Sequence, residues 1–317
     1  MPRSAVEAPH ITDAWILQQR GRRNAVDPAV PYAHTVEPER TREGRIEDVA
    51  TIFITNRECP FHCLMCDLWQ NTTTDRVPDG TVPRQIEWAL AQLPPTRHVK
   101  LYNAGSFFDK QAIPHADWPR IAELLAPFET VIVESHPKLV GGACDEFQRM
   151  LEPRLQVAMG LETIDPTVLP RLNKQMSLAD FENATRYLVQ RGIEVRAFVL
   201  LRTPFQTERQ GTEWAKRSID YVFSIGVECC VVIPTRYGNG AMDRLHESGL
   251  FQPPRLQSLE EVLDYGVGLA RGRVFADLWD LERLAACISC SSLRRERLHR
   301  MNLTQRVLPR VECRCRE

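Results

Sequence analysis

The chain has 317 residues, of which 43% are apolar and 26% charged, with a formal net charge of −1. That is enough for one large α/β domain with a small appendage, and it lacks the global basic field that draws a protein to nucleic acid or acidic lipid. No apolar run is long enough to cross a bilayer, and Met1-Pro2-Arg3-Ser4-Ala5 carries no charged-then-apolar signal, so no membrane association and a cytoplasmic location are expected.

Ten cysteines in a reducing compartment read as metal ligands, not as disulfides. Residues 1–45 are polar and arginine-rich and read as an N-terminal extension, with one amphipathic helix expected over 11–19. The first apolar run, 49–55, reads as a strand. Directly after it, Cys59, Cys63 and Cys66 form a C-x3-C-x2-C triad. Three thiolates this close on one loop suit an iron–sulfur cluster, because soft sulfur matches iron and one loop can wrap a cluster edge. A four-iron cluster on three cysteines keeps one iron open to a substrate or cofactor. The alternatives are a zinc knuckle or a chance group of buried thiols. Zinc, however, usually takes four ligands from C-x2-C pairs, and His62 is the one further ligand nearby.

This spacing, in a loop that follows a strand, resembles the signature of the radical S-adenosylmethionine (radical SAM) enzymes. The resemblance implies a 4Fe–4S cluster on the triad and S-adenosyl-L-methionine chelated at the open iron. It also implies a reductant such as ferredoxin or flavodoxin, and cleavage of the cofactor to a 5′-deoxyadenosyl radical that abstracts hydrogen from a substrate. Many members carry an aromatic residue before the third cysteine; here the polarisable Met65 fills that place.

Further apolar runs at 98–102, 130–134, 155–160, 194–201 and 227–233 alternate with helical patterns at 86–93, 118–125, 178–190 and 212–225. Six strand–helix units predict an α/β fold with a parallel sheet, either an open doubly wound sheet or a barrel. The resemblance selects a partial (β/α)6 barrel over 46–235, with its site at the carboxyl ends of the strands.

The second strand ends in Tyr102-Asn103-Ala104-Gly105-Ser106-Phe107-Phe108-Asp109. The family places a Gly-rich turn here to receive the amino group of the cofactor, which points to Asn103, Gly105 and Ser106; the usual Gly-Gly-Glu-Pro is absent. An ordinary βα turn also favours these residue types. The third strand closes on Glu134-Ser135-His136 and the fourth on Gly160-Leu161-Glu162-Thr163. The latter resembles the Elongator-like and methylthiotransferase branch, in which the matching residues, here Ser135 and Glu162, face the ribose and methionine of the cofactor. A carboxylate such as Glu162 suits ribose hydroxyls. Glu134 and His136 are substrate candidates or a satisfied structural pair. Leu172-Asn173-Lys174 reads as a structural stop. Arg202 and Arg236 end the fifth and sixth strands and are candidates for capturing a carboxylate or phosphate.

From Cys63-Leu64-Met65-Cys66-Asp67-Leu68-Trp69 through Pro234-Thr235-Arg236-Tyr237-Gly238-Asn239-Gly240 to Gly249-Leu250-Phe251-Gln252-Pro253-Pro254, the pattern is similar to the radical SAM component of archaeosine synthase and its bacterial relatives. That implies a lyase step in modification of a tRNA nucleoside, with a partner protein carrying most of the RNA affinity. A small metabolite as substrate, or a non-catalytic metal-binding redox module, are the alternatives.

Residues 236–317 read as a C-terminal extension. Cys287 and Cys290 form a C-x2-C pair, and Cys313 and Cys315 a C-x-C pair. Together they are expected to hold zinc or a second Fe–S cluster that staples a tail with little core of its own. The basic run around Arg294, Arg295, Arg297, His299 and Arg300 reads as a solvated helix face, with phosphate contact as the alternative.

Overall fold

The structure, a computed structural model, describes residues 8–284 and 287–313. Helix α1 (Asp13–Gln19) precedes strand β1 (Ala33–Arg40), which runs antiparallel to β2 (Ile46–Ile54). The chain then alternates: α2 (Thr81–Leu90), β3 (His98–Asn103), α3 (Trp118–Leu125), β4 (Thr130–Glu134), α4 (Gly142–Met150), β5 (Arg154–Glu162), α5 (Leu178–Val189), β6 (Glu194–Leu201), α6 (Glu208–Ser224) and β7 (Cys229–Pro234). After α7 (Ala241–Glu247) and α8 (Leu256–Gly268) come a short strand β8 (Arg273–Ala276) and the closing helix α9 (Ile288–Thr304). The eight strands lie in one sheet in chain order, and every pair after the first is parallel.

The fold is therefore the expected α/β partial barrel with a cysteine-bearing C-terminal segment. The six expected strands are β2 to β7, and β1 and β8 extend the sheet at its two edges. Period-two alternation divides each strand between the two faces of the sheet. Ile52, Leu101, Val133, Val157, Val199 and Val232 point outward and are buried against the helices, each contributing about 1.5–3 kcal/mol of burial. Their neighbours Phe53, Tyr102, Glu134, Ala158, Phe198 and Val231 all face one internal cavity. No helix among the described residues is long and apolar enough to cross a membrane.

The cavity's inner end is charged. Glu39 of β1 accepts a hydrogen bond from Lys100 at 2.5 Å and pairs with Arg196. Arg196 Nε also donates to Gln156 Oε1 at 3.0 Å. Burial opposes a charge on Glu39, but Arg196 and Lys100 overcome it and hold the carboxyl well below its ordinary range.

An incomplete barrel has two free edges. Helix α9 lies against both β1 and β8, and its side-chain amides complete the ladder of β8. Asn302 accepts from Ala276 N–H at 2.9 Å and donates to Ala276 C=O at 2.8 Å. Gln305 does the same for Val274 at 2.7 and 2.8 Å. These pairings satisfy backbone groups that would otherwise be buried unpaired or offered to another chain. Asn302→Ala and Gln305→Ala should each destabilise the protein by about 1–3 kcal/mol in urea unfolding. Losses below about 0.5 kcal/mol in both would mean that solvent satisfies this edge instead.

Candidate active site

The triad loop leaves β2 at the carboxyl end of the sheet and is held from three distant parts of the chain. Asn173 Nδ2 donates to His62 O at 2.7 Å, and Leu64 N–H donates to Leu172 O at 2.9 Å. Asn239 Nδ2 donates to Leu64 O and Cys66 O at 2.9 and 3.0 Å. Leu64 is fully buried with Ile16 of α1 and Met242 and Leu245 of α7 in a satellite core, and Phe61 stacks on His136 at 3.8 Å. Gly105 takes φ +127°, and a Cβ there would stand 2.9 Å from Cys59 Cβ and 3.2 Å from its Sγ. Only glycine allows this approach.

Cys59, Cys63 and Cys66 line the cavity, whose volume is about 1010 Å³. Burial pushes all three thiols up to about 12, so a metal must displace their protons. Three thiolates on one zinc ion would sit about 3.8 Å apart, given Zn–S bonds of about 2.3 Å. Among the described residues the triad is not a group whose sulfurs all lie within 4.8 Å of one another. Its open spacing around a shared cavity fits a polynuclear cluster better than a single ion.

Gly105, Glu134, Ser135, His136, Glu162 and Arg236 reach the same cavity. Asn103, Ser106 and Arg202 are not on its wall. Asn103 is buried, with neither amide atom hydrogen-bonded; Ser106 is buried and bonded to Ser135 Oγ at 3.0 Å. Arg202 turns away with φ +56°, pairs with Glu208 and donates to Pro253 O at 2.7 Å, which removes it as a substrate anchor. Arg236 pairs with Asp277 at 2.8 Å. Both ring nitrogens of His136 are engaged by backbone, Nε2 with Lys174 O at 3.0 Å and Nδ1 with Lys138 N at 3.2 Å. Burial lowers the histidine to about 4, so it is neutral.

The residue missed by sequence reasoning is Lys174. Its ammonium donates to Glu162 Oε1 at 2.6 Å, both side chains being 9% exposed. Burial works against this charge, yet Glu162, Cys63 and Cys66 hold Lys174 above its ordinary value. The pair fits because β5 bulges between Gly160 and Glu162 and because a Cβ on Gly160 would lie 2.0 Å from Glu162 Oε1. A cation thus stands among the thiols and beside the carboxylate. Leu172-Asn173-Lys174, read from the sequence as a structural stop, gave no sign of this.

The basic run of α9 is not one solvated face. Arg294 and Arg297 are buried, paired with Glu260 and Asp264 of α8, whereas Arg295 and His299 line the cavity. At the start of α9, Cys287, Cys290 and Cys313 bring their sulfurs within 4.8 Å of one another. Hydrogen bonds from the Cys290 backbone and thiol lower Cys287 to about 7. Cys315 lies outside the described residues.

No protein-family model matches the sequence. The chain is 29% identical to the archaeosine synthase subunit beta of Thermococcus kodakarensis over 63% of its length and 65% of that protein's. It is 26% identical to the subunit of the same name from Methanosarcina acetivorans, over 80% and 78%. Its fold is similar to that of methylornithine synthase, with a TM-score of 0.56 at 15% identity over 81% of this chain and 69% of that one. The chain thus resembles the archaeosine synthase beta subunits in sequence and methylornithine synthase in fold.

Glu134 provides a pH test of the cavity's polarity. Burial raises its carboxyl from 4.5 to about 8, against one hydrogen bond from Asn103 N–H at 3.3 Å. Between those values the folded state keeps a proton that the unfolded state releases. Stability should therefore fall as pH rises from 4.5 to about 8 and level off above it. Glu134→Gln should remove this share of the slope in urea titrations across that range. Equal slopes in the two proteins would mean that Glu134 is ionised in the fold.

Proposed function

We propose that the chain is a radical SAM enzyme in which Cys59, Cys63 and Cys66 hold a 4Fe–4S cluster and S-adenosyl-L-methionine occupies the adjoining cavity. The observation that carries this reading is the convergence of three half-buried cysteines on one cavity beside the Lys174–Glu162 pair. When bound, the reduced cluster and its cofactor supply a 5′-deoxyadenosyl radical. Lys174 offers a fixed positive charge for a carboxylate, and Glu162 accepts hydrogen bonds from hydroxyls or an ammonium. Gly105 keeps the β3 turn against Cys59, and His136 holds Phe61 and hence the loop. Phe53, Tyr102, Phe198 and Phe275 line the lumen and keep water from a reactive intermediate.

For the substrate, the reading is hydrogen abstraction from a side chain on a tRNA nucleoside, leading to a lyase step. The relatives are named as subunits, which supports a partner protein, and a net charge of −1 leaves the RNA affinity to that partner. A reductant such as ferredoxin or flavodoxin delivers the electron.

Anaerobic reconstitution should load about four irons per chain on the triad, the content of a 4Fe–4S cluster. Dithionite and S-adenosyl-L-methionine should then yield 5′-deoxyadenosine by liquid chromatography. Cys59/Cys63/Cys66→Ala protein should give neither. A loaded cluster without 5′-deoxyadenosine would leave a non-catalytic redox module. Mass spectrometry of tRNA nucleosides from a deletion strain should reveal an altered profile; an unchanged one would turn the reading to a small metabolite.

A further inference from the structure

Helix α9 forms one wall of the cavity. Of its described side chains, Cys290, Leu298 and Met301 are the buried apolar ones, while Ser292, Arg295, His299 and Leu303 line the cavity. After α9 the chain doubles back along the helix. Arg297 donates to Leu308 O and Pro309 O at 2.7–3.1 Å, and Arg310 donates to Asp264 at 3.1 Å. The returning residues are mostly exposed, so packing does not account for where they end. Yet the tail brings the exposed Cys313 to 3.8 Å from Cys287 Sγ, and Cys290 closes the group.

That separation is the sulfur–sulfur edge of a zinc tetrahedron, about 3.8 Å for Zn–S bonds of about 2.3 Å. A cluster would put each thiolate on a different iron and so farther apart. A disulfide would join two sulfurs and leave the third without a purpose. The surroundings also favour thiolates: Cys287 is the N-cap of α9, where the helix dipole is positive, and the Arg294 guanidinium bonds both Glu260 and Cys290.

We propose that Cys287, Cys290 and Cys313 bind one zinc ion that ties the returning tail to the start of α9 and so fixes the wall that carries Arg295 and His299. This ion is separate from the triad cluster, and the inference does not depend on the catalytic reading. The role is that of a structural clamp, one that fastens a cavity wall and takes no part in the reaction.

The test uses the full chain with the triad replaced by alanine, purified aerobically and desalted. Elemental analysis should find about one zinc per chain, as a single tetrahedral site requires, and Cys287→Ser/Cys313→Ser should lower that at least tenfold while far-UV circular dichroism is kept. Iron with sulfide in place of zinc, a disulfide with no metal, or zinc retained in the double variant would each overturn the proposal. In the wild-type chain, stripping zinc with a chelator should speed hydrogen exchange in residues 288–304 and not in β3 to β6. Unchanged exchange in α9 after zinc removal would overturn the clamp.

Discussion

A sheet that curls without closing must settle the hydrogen bonds of its edges, and that constraint organises much of this molecule. Asn302 near the end of α9 and Gln305, its left-handed C-cap, present two amides to Ala276 and Val274, alternate residues of β8. At the other edge, β1 supplies Glu39 and so brings a carboxylate to the cations of Lys100 and Arg196 at the inner end of the cavity. Arg273 of β8 donates to Arg40 O across the gap at 2.7 Å. The two edges are therefore joined by side chains where backbone pairing stops. What remains between them is a cavity large enough for a cofactor and a substrate, with an aromatic middle and a charged inner end.

Strands β2 to β7 were legible because their helix-facing positions are buried and apolar, as at Leu155, Val157, Met159 and Leu161 of β5. Strand β1 was not. Its sequence, Ala33-His34-Thr35-Val36-Glu37-Pro38-Glu39-Arg40, has a proline and charges that face the lumen, and such a pattern reads as loop in isolation. Strand β8 has four residues, too few for any periodicity to register. The basic run on α9 misled for a related reason. The carboxylates that bury Arg294 and Arg297 lie about 34 residues earlier, and no local pattern marks them.

The site divides the same way. The triad, Gly105 and Glu162 stand in short motifs that announce themselves. Lys174 and Asn239 act at long range: one becomes a buried cation by folding onto Glu162, the other grips a loop far upstream. Arg202 had the right residue type at the right end of a strand, but its left-handed backbone turns the guanidinium toward α6 and the Pro253 carbonyl. Strand-end position gives reach to the cavity only when the following turn leaves the side chain on the inner face.

The grip of Asn239 on the triad loop also bears on the order of biogenesis. The bond to Cys66 spans 173 residues and the one to Leu64 spans 175, so the loop cannot take its final shape until nearly the whole sheet has formed. Contacts of such sequence separation come late because their loop-closure entropy is met only once intervening structure exists. The three thiols are thus brought into their final places late, once the barrel around them has formed. A nascent chain released before residue 239 would carry all three cysteines and yet lack the side chain that shapes their loop.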